Sequence, residues 1–262
     1  MSTPPPETPP DAPAAPRRAP ARRLWNLLTA GSRVRYLLWR FLARSDAFTV
    51  RLRTGERLAL STAGDRRVGW EVFVRELYRV PAGHGVEGVR RVVDLGGNNG
   101  FSTLYLAGQY PQAEVVAFEP HPRHCEQFRW HVAHNGLSSR VRLVAAAAGV
   151  REDRLMLSDA GAGSSLVIPR GGDRFEVRVA DWLAEVGGAP IDVLKVDIEG
   201  SEYALLDDPR FPGLGVRLIV LECHEVPEQG LTYRTCVRQL EGMGYTTSVV
   251  PDGGCTMVWA SK

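Results

Sequence analysis

The stretch Val92-Val93-Asp94-Leu95-Gly96-Gly97-Asn98-Asn99-Gly100 constrains this chain more than any other. An apolar strand runs straight into a glycine-rich turn, and a helix starts at about Ser102. Strand–helix repeats continue from there. Val115–Phe118 reads as the next strand, and Pro122–Asn135 as the next helix with Gly136 as its stop. Val141–Val144 is a third strand, followed by a hairpin-like insert over 154–179. Val193–Val196 and Leu218–Leu221 are further strands, with helices over 201–206 and near 233–243. Thr246–Val250 and Cys255–Ala260 close the chain as an antiparallel hairpin. Such alternation predicts an α/β fold, a doubly wound open sheet with helices on both faces. In such sheets ligands lie at the carboxyl ends of the strands, beside the point where strand order reverses.

The segments ahead of this core have a different character. Residues 1–22 are rich in Pro, Ala and Arg and cannot bury a core, which predicts a disordered tail. Residues 23–46 carry Leu24, Leu27, Leu28, Val34, Leu37, Leu38, Phe41 and Leu42 at helical spacing, with arginines between them. This amphipathic basic helix has two readings: docking on its own domain, or peripheral contact with an anionic membrane or a second copy. The domain proper is then 47–262, in which 47–80 supplies a β-hairpin (48–60) and a helix (68–80), and 91–262 the core. The chain's net charge is only +2. Because arginines crowd the first 44 residues, the body leans acidic, which gives no footprint for nucleic acid. Cys125, Cys223, Cys236 and Cys255 are widely spaced, as buried free thiols are and zinc sites are not. No leader-like apolar run opens the chain, and a cytoplasmic location is the expectation.

The glycine turn carries chemistry. G-x-G-x-x-G, the pyrophosphate-binding spacing of nicotinamide enzymes, is absent; the frame is G-G-x-x-G. D-x-G-x-x-x-G leaves room for the amino-acid end of S-adenosylmethionine, with Asp94 placed to meet its ammonium group. Glu119, at the end of the second strand, is placed to accept both hydroxyls of a ribose. A nicotinamide-dependent oxidoreductase and a non-catalytic cofactor-binding module are the alternatives.

The runs VVDLGGNNGFSTLYLA (92–107), AFEPHPRHCEQFRWHVAHNG (117–136), IDVLKVDIEGSEYALL (191–206) and VLECHE (220–225) resemble the FkbM-type methyltransferases, a branch of the class I S-adenosylmethionine enzymes. The resemblance extends from about Phe48 to the C-terminus and includes Asp65. It implies a Rossmann-like sheet of seven strands and O-methylation of a sugar, glycoside or polyketide hydroxyl. Asp94, Gly96, Asn98, Gly100 and Glu119 fall on cofactor-binding positions, and Gly97 and Pro120 complete the candidate set. Where such enzymes often carry a polar group near the adenine, this chain has Ala145–Ala148, which implies that packing and backbone groups hold the base.

Methyl transfer needs an aligned acceptor oxygen and a base for its proton. Lys195 and Asp197 end the fourth strand on one face, and Glu222 and His224 end the fifth. A lysine in an apolar strand needs a counter-charge, and Asp197 or Glu199 is the expected one. We assign Asp197 as base or metal ligand, Lys195 as its electrostatic partner, and Glu222 and His224 as companions. These two with Asp197 form a candidate site for Mg²⁺; metal-free, His224 is a candidate general base near neutral pH. His84, His121, His124, His131 and His134 are expected on solvated surfaces. Ser164 and Ser165 are candidates for the acceptor pocket.

Overall fold

A computed structural model describes residues 24–34, 48–60, 63–158, 174–252 and 255–262. The tail expected over 1–22, the second half of the expected N-terminal helix and the Ser164-Ser165 pair lie outside the described residues.

The chain runs α1 (Leu24–Leu27), β1 (Phe48–Arg51), β2 (Arg57–Leu60), α2 (Ala63–Phe73), β3 (Arg91–Leu95), α3 (Phe101–Gln109), β4 (Glu114–Phe118), α4 (Pro122–His134), β5 (Val141–Val144), β6 (Ala147–Gly149), β7 (Asp153–Ser158) and β8 (Arg174–Asp181). It continues through α5 (Trp182–Val186), β9 (Val193–Val196), α6 (Glu202–Leu206), β10 (Leu218–Cys223), α7 (Tyr233–Gly242), β11 (Thr246–Asp252) and β12 (Cys255–Ser261). Seven strands form the main sheet in the order β11-β12-β10-β9-β3-β4-β5. Pairing is parallel from β10 to β5, and the β11–β12 hairpin is antiparallel. This is the Rossmann-like sheet of seven strands with a terminal hairpin. Strand order reverses between β3 and β9, so the glycine turn and Lys195-Val196-Asp197 leave the sheet side by side.

Both faces are covered, which is why the parallel strands are apolar throughout. Val93, Leu95, Val196 and Ile219 pack against Trp182, Tyr203 and Leu240. Val92, Val193 and Val220 face Phe101, Leu104 and the β1–β2 hairpin. The insert expected over 154–179 is the β7–β8 antiparallel pair, to which β6 adds in parallel through β8.

Two helices depart from expectation. The N-terminal helix is not continuous: Leu28 leaves it to bridge Leu52, and the Thr29 N–H donates to the Arg51 carbonyl at 3.0 Å. Thr29 then caps a new turn, its Oγ1 accepting from the Ser32 N–H. Leu28 is buried beside Val50 and Leu52, so this segment docks on its own domain. The helix expected over 68–80 occupies Ala63–Phe73 instead. Its continuation is stopped by Glu76, which takes a left-handed conformation (φ 53°).

Candidate active site

The glycine turn is rigid because its own donors are used internally. Gly96 and Gly97 N–H donate to the Phe118 carbonyl, and Gly100 N–H to that of Gly97. Asn98 N–H donates to Glu119 Oε2 at 2.8 Å, and Asn99 N–H to the Asn98 side chain at 2.7 Å. No N–H of the turn from Gly96 to Gly100 is left to cradle a pyrophosphate, which removes the main support for the nicotinamide alternative.

The glycines at 96 and 97 answer to the protein's own packing. A Cβ on Gly96 (φ 84°) would lie 1.7 Å from the Asp197 carbonyl oxygen. On Gly97 it would lie 2.9 Å from the Phe128 ring. The missing side chains let β9 and α4 close on the turn.

Asp94 also departs from its expected role. Its carboxylate is fully buried and lines neither crevice at the carboxyl end of the sheet. Oδ2 accepts from Ser102 Oγ at 2.7 Å and Thr103 Oγ1 at 2.6 Å, and Oδ1 lies 3.0 Å from Lys195 Nζ. The register explains this, because Asp94 pairs directly with Lys195 across β3 and β9. Lys195 therefore finds its main counter-charge in Asp94, not in Asp197 (3.6 Å) or Glu199. Its Nζ also donates to the Gly96 carbonyl at 2.5 Å and the Leu95 carbonyl at 3.3 Å. Burial would lower the lysine's pKa, but the Asp94 and Asp197 charges outweigh it and the ammonium is held above its ordinary value.

Two crevices open at the carboxyl end of the sheet and meet at Gly96, Asn98, Asp197 and Glu199. The first is lined by Glu119, Pro120, Ala147, Ala148, Leu157 and Ile198 in addition. Glu119 accepts the His121 N–H at 2.8 Å on Oε1, with His124 Nδ1 3.4 Å away. Each carboxylate oxygen has two lone pairs, so Oε2, which receives Asn98, keeps acceptor capacity. Ala147 and Ala148 offer the apolar wall anticipated for a flat base. The second crevice runs beneath α2 past Arg67, Glu71, Tyr78 and Glu222.

Carboxylates gather where the crevices meet. Tyr78 Oη donates to Asp197 Oδ2 at 3.2 Å, and burial and the Asp197 charge hold the phenol pKa well above its usual value. His224 Nε2 stands 3.5 Å from Glu199 Oε2, 3.9 Å from Glu222 Oε1 and 4.0 Å from Asp197 Oδ1. One ligand atom from each of Asp197, Glu199 and His224 falls within 4.8 Å of the others. The converging trio thus contains Glu199 where the sequence pointed to Glu222. Burial would lower the His224 pKa, but Glu202, Asp197 and Glu199 raise it to about 10. The same carboxylates favour the ring's cationic form, which counts against the free-base role expected of it.

Sequence reasoning missed Tyr78 and Glu202, and it misplaced three histidines. His84, His121 and His131 are buried. His84 bonds Ser261 Oγ and Ser248 Oγ at 2.8 and 2.7 Å. His131 Nε2 accepts the Ala59 N–H at 2.8 Å, and Nδ1 donates to the Asn99 carbonyl at 2.6 Å. Asn99 Nδ2 in turn donates to Asp65 at 3.2 Å. The hairpin, α2 and α4 are thereby tied to the glycine turn. Among the described residues no helix is long and apolar enough to cross a membrane.

Comparison with known proteins agrees with this architecture. The Methyltransferase FkbM domain matches residues 94–246. The 31-O-demethyl-FK506 methyltransferase FkbM of Streptomyces tacrolimicus is 30% identical over 245 residues, spanning 78% of this chain and 91% of that protein. The catechol O-methyltransferase of Mycobacterium tuberculosis is 43% identical over 56 residues, 21% of this chain and 26% of that one. A crystal structure of a SAM-dependent methyltransferase from Agrobacterium tumefaciens superposes with a TM-score of 0.52 at 12% identity, covering 84% of this chain and 72% of its own. On the sheet order, the glycine turn and these likenesses, the chain belongs to the FkbM methyltransferase family and is an S-adenosylmethionine-dependent enzyme.

Proposed function

We propose that the protein transfers the methyl group of S-adenosylmethionine to a hydroxyl oxygen of a sugar, glycoside or polyketide-type secondary metabolite. One observation carries this reading. The first crevice is lined both by Glu119, a carboxylate suited to ribose hydroxyls, and by Asp197 and Glu199. A cofactor lying along it brings its sulfonium to the carboxylates. Oxygen as the acceptor atom is supported by the Streptomyces tacrolimicus relative, whose name places a methyl on an oxygen of FK506.

In this reading Glu119 holds the ribose hydroxyls, Gly96, Gly97, Asn98 and Gly100 shape the floor, and Pro120 walls the adenosine. Asp94 and Lys195 act from below, by fixing the turn. Asp197 is the base we assign to the acceptor's proton, oriented by Tyr78 and Lys195 on Oδ2, with Oδ1 4.0 Å from His224 Nε2. Glu222 lines the neighbouring crevice and keeps the region anionic. The mixed carboxylate–imidazole set of Asp197, Glu199 and His224 also suits a divalent ion such as Mg²⁺, which when bound would lower the hydroxyl's pKa.

Calorimetry with S-adenosylmethionine tests the cofactor half. Glu119→Ala is expected to weaken binding tenfold to a hundredfold, since a hydrogen bond to a charged group contributes about 1.5–3 kcal/mol; equal affinity in the two proteins overturns it. Methyl-labelled cofactor offered to a panel of glycosides, with and without EDTA, tests the acceptor half. Label released only from nitrogen or carbon products would refute O-methylation, and Asp197→Asn with full turnover would refute the base.

A further inference from the structure

The roles assigned above leave the buried acid Glu202 without a task. Glu202 opens α6, is wholly excluded from solvent, and lines neither crevice. Burying a carboxylate is costly unless its charge is answered. The answer is His224: Nδ1 lies 2.8 Å from Glu202 Oε1, which also accepts the Ile198 N–H at 3.3 Å. The chain reaches this position through Glu199 and Gly200, both left-handed at φ 53° and 104°. They fold the start of α6 back beneath the end of β10. One residue on, Tyr203 Oη donates to the His224 backbone carbonyl at 2.8 Å. Two consecutive side chains of one short helix therefore hold the ring and the backbone of the same histidine.

An imidazole turned over about its own axis has nearly the same shape, so packing selects weakly between its two orientations. A hydrogen bond to one nitrogen selects strongly. With Nδ1 committed to Glu202, Nε2 is the nitrogen that meets Asp197, Glu199 and Glu222. We propose that Glu202 is a positioning residue, which engages Nδ1 of His224 from behind and so delivers Nε2 to the meeting point of the two crevices. The assignment holds whether the ring is a cation or carries a single proton, because Nδ1 is a donor in both. It rests on the reading above only in taking that meeting point as the acceptor site.

Long-range proton–nitrogen NMR of the full chain, ¹⁵N-labelled in histidine and treated with EDTA, reads the protonation of each ring nitrogen through the ring's carbon-bound protons. The His224 signals are identified by their loss in His224→Gln. At neutral pH the wild type is expected to show a protonated Nδ1. Glu202→Gln, whose amide oxygen still accepts, is expected to keep it. Glu202→Leu, similar in bulk but without an acceptor, is expected to leave Nδ1 bare, with the ring's remaining proton on Nε2. A filler role for Glu202 would not move these signals. A bare Nδ1 in the wild type overturns the proposal, as does a folded Glu202→Leu with the wild-type pattern. Should Glu202→Leu not fold, the wild type and Glu202→Gln decide. S-adenosylhomocysteine titrated into the wild type is a separate arm. Lack of binding there would sink the cofactor reading and leave the His224 geometry standing.

Discussion

Asp94 and Lys195 face one another from adjacent parallel strands, Nζ 3.0 Å from Oδ1, with neither side chain reached by solvent. The pair does more than neutralise itself. Asp94 reaches forward to the first turn of α3 through Ser102 and Thr103. Lys195 reaches back to the carbonyls of Leu95 and Gly96. One ion pair thus fastens strand, turn and helix together.

Removing only the cation strands a buried anion. Lys195→Met is expected to destabilise the protein by about 3–5 kcal/mol, and Lys195→Met with Asp94→Asn to recover much of that loss. Urea unfolding of the four proteins of this cycle measures the coupling. Costs that simply add would show that the two groups do not depend on each other.

Gly96→Ala is expected to displace the Asp197 carbonyl, because the new methyl carbon would fall 1.7 Å from it. Left-handed strain at a non-glycine residue adds about 1–3 kcal/mol. Loss of cofactor affinity by calorimetry should accompany a lower melting temperature. Gly136→Ala, also left-handed but open on all sides, should cost stability and leave affinity alone.

His131 makes folding sensitive to mild acid. Burial lowers its pKa to about 4, and Nε2 has no room for a proton while it accepts the Ala59 N–H. Below about pH 6.5 the unfolded chain takes up a proton that the folded chain refuses. This group's contribution therefore falls as pH drops from 6.5 toward 4 and levels off below that. The loss approaches about 3 kcal/mol over the window. His131→Gln, which cannot titrate, should flatten that part of a stability–pH series; an unchanged slope would refute the assignment.

Cys125, Cys223 and Cys236 are buried and free. Burial and the nearby Glu119 push the Cys125 thiol up to about 12. The Cys223 thiol 2.8 Å away and burial raise the Cys236 thiol as well. Thiolate is the reactive species and all three sulfurs are buried, so an aromatic disulfide reagent should leave them unlabelled in the native protein and label them in denaturant. Peptide mass spectrometry after native labelling checks each site.

What could be read from the chain follows the physics of each part. Val92–Leu95, Val115–Phe118, Val193–Val196 and Leu218–Leu221 were recognisable because strands covered on both faces are continuous apolar runs. Glu119 and Asp197 were recognisable because they sit at strand ends, where open sheets bind ligands. Glu202 and Tyr78 gave no signal, since their roles depend on two left-handed residues and on how α2 lies over the sheet. His131 looked exposed because its neighbours on α4 are polar. Its burial comes from β2, 72 residues earlier. The Asp94 carboxylate was misread for a related reason: only the register of β3 against β9 places Lys195 opposite it. Helix α5 was overlooked although Asp181 caps it with bonds to Leu183 and Ala184 N–H.

The bridge from Leu28 to Leu52 bears on how the protein can be shortened. A form beginning at residue 47 looks natural on paper, since the arginine-rich leader would be gone and the hairpin intact. It would remove Leu28 from the cluster it shares with Leu52 and Val50 and leave Arg51 without the partners that Thr29 and Ser32 provide. Uncovering one such leucine-sized surface forfeits about 1.5–3 kcal/mol. Trimmed versions that start at or before Leu24 should stay monodisperse, whereas those starting at 47 should turn sticky, and any membrane attachment they lose could not be credited to the removed arginines.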